Sequence, residues 1–246
     1  MLAPTKAKNM LASANITAMV FWGDSLALAQ FEAALGFFGS LLGKYGTVGN
    51  KFDAHAPRGA PLLKWFPCHG GHREYWSKEV RKLPGAIAKW REEVAKRTEA
   101  PPTRAGRTLV FSNFAVLHEM MPRDLQTLRG DISRFAQGWE EELASAPPDI
   151  TKFWRDDAVV VFGPPPALHK FRQPFCTYER AKAIGRAYSK TLEERLGWQV
   201  LDVHAMTDAR PESAKDGMHY DESLTAVWNA ALVHAAASRP SARSGT

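Results

Sequence analysis

Ser25 stands in the run Phe21-Trp22-Gly23-Asp24-Ser25-Leu26, directly after an apolar stretch and directly before a helical pattern. Far down the chain, Asp216-Gly217-Met218-His219 occupies a polar turn ahead of the last helical pattern. A serine hydroxyl is a weak nucleophile until a base takes its proton. Imidazole is such a base, and it works best when a carboxylate fixes its tautomer and stabilises the imidazolium. An aspartate three residues before a histidine, with a glycine between, can put both side chains on one side of a turn. Each segment also has a plainer reading. Asp24 or Ser25 can be simply an N-cap, and His219 a surface histidine beside a capping aspartate.

The elements that would position these groups are legible as an alternation. Five short segments are rich in β-branched and apolar residues: Ile16 to Trp22, a weak one around Tyr45 to Val48, Thr108 to Ser112, Ala158 to Phe162, and Gln199 to Val203. Helical patterns fall between them at Leu26 to Phe38, Tyr75 to Arg97 (interrupted at Pro84), Pro122 to Ala144, Tyr178 to Leu196 and Ser223 to Ala237. Continuous apolar strands alternating with helices predict a parallel sheet covered on both faces. The expected fold is therefore a three-layer α/β/α sandwich around a parallel, roughly five-stranded sheet. Lys51 to Gly71 and the proline-rich Gly163 to Pro174 are expected to be long loops. In such sheets, ligands bind beyond the carboxyl ends of the strands. Ser25 falls there, near the positive end of the following helix, where its own N–H can meet a developing oxyanion. Gly23 lets the chain turn tightly.

Composition narrows the classes. The chain has 246 residues, 45% hydrophobic and 24% charged, as in an ordinary globular protein. No internal repeat or domain linker is visible, so residues 1–239 are expected to form one catalytic domain, followed by a flexible tail at 240–246. The formal charge of +6 is spread out. The basic stretch Lys78 to Arg97 is interleaved with Glu79, Glu92 and Glu93, which suits a solvated helix better than a nucleic-acid patch. No apolar run is long enough to span a bilayer, and no signal peptide is visible. Cys68 and Cys176 allow one disulfide or two thiols. Compartment and oligomeric state have no signature here.

Gly23-Asp24-Ser25-Leu26 near the start and Asp216-x-x-His219 near the end resemble the first and last blocks of SGNH/GDSL hydrolases. With Ala29-Gln30-Phe31-Glu32 after the first block, and Asp-Gly-Met-His-Tyr at the last, the chain is similar to the PC-esterase branch. That branch includes trichome-birefringence-like and sialate or capsule O-acetyltransferase-like proteins. The resemblance implies an SGNH-type, flavodoxin-like fold and acyl-ester chemistry through Ser25, His219 and Asp216, often on a carbohydrate O-acetyl group. It implies no cofactor. A secretory or Golgi location is compatible with it. Such enzymes usually add an oxyanion-hole glycine and asparagine, for which Gly49 (or Gly46) and Asn113 are the candidates. A Gly-x-Asn-Asp string is absent, the sequence reading Ser112-Asn113-Phe114-Ala115.

The remaining candidates are weaker in chemical specificity. Cys68-His69-Gly70-Gly71-His72 lacks the second ligand pair a zinc site needs, so no metal is expected. His118, His169 and His204 fall near the active end of the sheet and are candidates for substrate contact. Trp65 and Trp76 could line a sugar cleft, and Arg58 and Arg73 could anchor an anionic group. Three readings compete with a carbohydrate O-acetylesterase or O-acetyltransferase. One is a general carboxylesterase or lipase, which a long apolar helix beside the active-site loops would favour. Another is a non-catalytic carbohydrate-binding protein, which predicts loss of the triad. The last is nucleic-acid binding. All three triad residues are present, and no such apolar helix is evident.

Overall fold

The computed structural model describes residues 2–38, 53–54, 61–67, 74–98, 106–113, 125–169, 177–215 and 219–238. Helix α1 (Pro4–Ser13) leads into strand β1 (Ile16–Gly23), which is followed at once by α2 (Ser25–Phe37). Next come β2 (Asp53–Ala54), β3 (Leu62–Pro67), α3 (Glu74–Thr98) and β4 (Arg107–Ser112). Helices α4 (Leu125–Ala144) and α5 (Pro148–Lys152) precede a π turn (Phe153–Asp157) and β5 (Ala158–Phe162). The chain closes with α6 (Tyr178–Leu196), β6 (Gln199–Val200), α7 (Val203–Asp208) and α8 (Glu222–Ser238).

The sheet order is β2-β3-β1-β4-β5-β6. All pairings are parallel except the short antiparallel β2–β3 pair. Without β2, the five parallel strands follow the flavodoxin-like order, with β1 at the switch point. Because strand side chains alternate, β1 feeds two cores. Ala18, Val20 and Trp22 pack with Val80, Ile87, Ile132, Ile184 and Leu192 from α3, α4 and α6. Met19 and Phe21 pack with Leu11, Phe31, Leu232 and Val233 from α1, α2 and α8. This is the three-layer sandwich the alternation predicts.

Three local expectations change. The stretch Lys51 to Gly71 is not all loop, because it contains β2 and the partly buried strand β3, paired along β1 from Ala18↔Leu62 to Gly23↔Pro67. Proline closes that strand instead of interrupting it, and the buried Lys64 lies with its ammonium 5.9 Å from the Trp90 ring centroid. The expected strand Gln199 to Val203 ends at Val200, because Asp202 caps α7 by accepting from Ala205 N–H at 2.9 Å. The weak strand expected around Tyr45 to Val48 lies outside the described residues.

Pro84 does not interrupt α3, which runs through it. Proline has no N–H, so the carbonyl of residue 80 loses its helical partner. The indole of Trp154 supplies the replacement, donating Nε1–H to the Val80 carbonyl at 2.7 Å. Trp154→Phe should therefore lower stability by about 1–3 kcal/mol by leaving a buried acceptor unpaired. The loss should shrink when Pro84→Ala restores an N–H. Urea denaturation of the four proteins in this cycle measures the coupling, and strictly additive losses would contradict it.

Candidate active site

The register places the ends of the central strands on one rim. Trp22 is level with Phe66 and Ser112, and Ser112 is level with Phe162. Ser25, Asn113 and the buried segment Gly163 to Leu168 all follow directly from that rim.

Asp24 is the N-cap of α2, its carboxylate accepting from Leu26 N–H at 3.0 Å. The capping requirement is thus met by Asp24, and the exposed Ser25 keeps its hydroxyl for another partner. That partner is His219, whose Nε2 lies 3.1 Å from Ser25 Oγ across 194 residues of sequence. When Nδ1 carries the ring proton, Ser25 O–H donates to Nε2. Ser25 N–H, in the first turn of the helix, has no intrahelical acceptor.

The turn from β1 into α2, which carries Ser25, is braced from two sides. Asn113, buried at the end of β4, donates Nδ2–H to Asp24 Oδ1 at 2.9 Å. Trp65 on β3 donates its indole N–H to the Gly23 carbonyl at 3.2 Å. Gly23 is required by this packing. A Cβ there would collide with Asn113 Oδ1 and approach Ala27 Cβ to 2.9 Å.

His219 is held by backbone bonds. Lys215 N–H donates to the His219 carbonyl at 2.8 Å, Ala214 and Tyr220 form an antiparallel bridge, and Asp221 N–H donates to the Ser213 carbonyl at 3.0 Å. Tyr220 anchors the segment after His219, its hydroxyl donating to the Ala167 carbonyl and its ring 5.9 Å from that of Trp228. Asp221 then caps α8 through Leu224 N–H at 3.1 Å. The Ser223 hydroxyl and this N–H hold its carboxyl below the usual carboxylate range.

Among the sequence candidates, Ser25 and His219 are brought together, and Asn113 and Trp65 adjoin Ser25 through Asp24 and Gly23. Asp216, Gly49, His118, Arg73, Arg58, Cys68 and Cys176 lie outside the described residues. So does the cysteine- and histidine-bearing stretch Cys68-His69-Gly70-Gly71-His72. Among the described residues, no group of three or more His, Cys, Asp or Glu side chains is arranged to hold a metal ion, and no helix is long and apolar enough to cross a membrane.

His169 and His204 meet in a cluster that periodicity could not show. His169 Nε2 is 3.5 Å from Asp208 Oδ1, and Tyr178 O–H donates to Asp208 Oδ2 at 2.8 Å. The Tyr178 ring lies 5.5 Å from His169 and 5.2 Å from His204. Burial pushes the His204 pKa down, with Lys182 adding to the shift, while Asp208, Asp202 and the Pro165 carbonyl oppose it. A histidine lowered in the folded state contributes stability that is present above its ordinary pKa of about 6.5. That stability is lost as pH falls from there through the lower folded-state value. The urea midpoint of the wild type should accordingly fall more steeply on acidification than that of His204→Gln. Parallel curves would show that His204 does not couple to folding.

No family model and no curated protein matches the chain. Among solved structures, the chain is similar to the crystal structure of the lipase/acylhydrolase from Enterococcus faecalis. The TM-score is 0.45 and the identity 14%, over 89% of this chain and 94% of that one.

Proposed function

We propose that the chain is a serine acyl-ester enzyme, with Ser25 as nucleophile, His219 as general base and Asp216 as the carboxylate partner of His219. The observation that carries this reading is the 3.1 Å approach of His219 Nε2 to Ser25 Oγ at the carboxyl rim of the sheet. Ser25 Oγ attacks the ester carbonyl carbon as His219 Nε2 takes its proton. The tetrahedral oxyanion receives Ser25 N–H and the second Nδ2 hydrogen of Asn113, the first being engaged with Asp24. Gly49 N–H is proposed as a third donor. Collapse of the intermediate breaks the ester C–O bond, and His219 returns the proton to the leaving alcohol. His219 then deprotonates water, or an acceptor hydroxyl, which attacks the acyl-enzyme and frees Ser25.

The proposed substrate class is an O-acetylated carbohydrate, and its support is the motif resemblance to the PC-esterase branch. His118, Trp65 and Arg73 are proposed substrate contacts. For Trp65, the bond to the Gly23 carbonyl puts the indole beside the nucleophile turn. Acetate release from p-nitrophenyl acetate and from an acetylated oligosaccharide tests the reading. Turnover of both supports an O-acetylesterase. Turnover of the simple ester alone would overturn the carbohydrate assignment. Transfer of acetyl to an added sugar, in competition with water, would identify a transferase.

A further inference from the structure

A cavity lies toward the opposite end of the sheet from Ser25. Trp154 and Arg155 precede the first residue of β5, and Trp198 precedes the first residue of β6, which puts the cavity beside the amino-terminal parts of these parallel strands. It measures about 290 Å³, with Trp139, Glu140, Trp154, Arg155, Arg195 and Trp198 among its lining residues. The indoles pack edge to face, Trp139 being 4.9 Å from Trp154 and 5.0 Å from Trp198 between ring centroids. An apolar cavity of about 150 Å³ holds benzene, so this one has room for two fused rings and a small substituent.

The polar groups at the cavity decide what that substituent should be. Glu140 is the acidic side chain in the lining, and Arg195 engages both its oxygens, while Arg195 Nη1–H donates to the Ser133 carbonyl at 3.0 Å. Trp154 Nε1–H is committed to Val80. Among the described residues, Trp139 Nε1–H and the exposed Arg155 guanidinium make no hydrogen bond, so the groups left over are donors, one of them cationic. An indole-lined cavity with spare donors at its edge suits an aromatic ring bearing an anion, since guanidinium pairs with carboxylate through two parallel hydrogen bonds. The π turn that carries Trp154 and Arg155 is itself a geometry often found at functional sites.

We propose that this cavity is a second binding site, separate from Ser25, for a small aromatic carboxylate held by Arg155 and the surrounding indoles. The probe is 2-naphthoate, with 2-naphthol as its uncharged counterpart. It is titrated into the full chain by calorimetry and by ¹H–¹⁵N spectra of the tryptophan indoles. 2-Naphthoate is expected to bind with a Kd below about 1 mM and to shift the Trp139 indole resonance. 2-Naphthol should bind about tenfold or more weakly. Arg155→Ala and Arg155→Gln, at an exposed position, should weaken 2-naphthoate by a similar factor and leave ester turnover unchanged. Ser25→Ala should bind 2-naphthoate as the wild type does. Absence of binding, equal affinity in the Arg155 variants, or loss of binding in Ser25→Ala would each overturn the proposal. None of these binding readouts depends on whether the chain hydrolyses esters.

Discussion

Ser25→Ala is expected to lower ester turnover by a factor on the order of 10⁴–10⁶ while leaving the urea midpoint close to that of the wild type. The two halves of this expectation come from one piece of local structure. Asp24, not Ser25, caps α2, with its Leu26 bond at 3.0 Å and its Asn113 bond at 2.9 Å intact in the variant. Removing an exposed hydroxyl at the first helical position costs the fold little. It would cost the proposed chemistry its nucleophile. Asp24→Ala should behave in the opposite sense, losing about 0.5–2 kcal/mol of capping stability along with the partner of Asn113. A Ser25→Ala variant that hydrolyses p-nitrophenyl acetate at the wild-type rate would move the chemistry elsewhere in the chain.

His219→Ala should be nearly as damaging, and the Ser25→Ala/His219→Ala double variant should be no worse than either single one. Nucleophile and base act as a unit, so once one is gone the other has nothing to activate or to serve. The 3.1 Å separation is the structural basis for that coupling. Two residues contributing independently would multiply their losses instead, and initial rates on p-nitrophenyl acetate in all four proteins separate the two cases. His219→Gln is a useful companion because its amide can hydrogen-bond Ser25 without accepting a proton at neutral pH. Its rate should match that of His219→Ala.

Much of this arrangement was legible in the sequence because it follows from short-range pattern. Ile16 to Trp22 is too short and too apolar for anything but a buried strand. The glycine, acid and serine that follow are what a strand-to-helix turn demands, and α6 occupies Tyr178–Leu196 as its periodicity predicts. What escaped was set by tertiary partners. β3 was hidden because Pro61, Lys64 and Pro67 look like loop residues; the Trp90 ring beneath the Lys64 ammonium and the pairing with β1 make the strand tenable. Pro84 looks like a break because the Trp154 indole that takes over the Val80 carbonyl lies 74 residues away.

The site shows the same division. Ser25 and His219 stand out because their types suit one chemistry and because one begins the helix after the first strand and the other precedes the last helix. The bracing does not stand out. The Asn113–Asp24 bond joins residues 89 apart and the Trp65–Gly23 bond residues 42 apart, and no local pattern encodes either. Asn113 was nameable as an oxyanion donor by resemblance, but its grip on the capping aspartate was not. That grip ties the end of β4 to the turn that carries Ser25, so the two donors proposed for the oxyanion share one support.

The most direct test is covalent. A fluorophosphonate ester should react with the folded protein at one site, and peptide mass spectrometry should locate the phosphonyl adduct on Ser25. Labelling should slow strongly in His219→Ala, because the hydroxyl would have lost the base that activates it. An adduct on another serine, or labelling of Ser25 at the same rate without His219, would contradict the account.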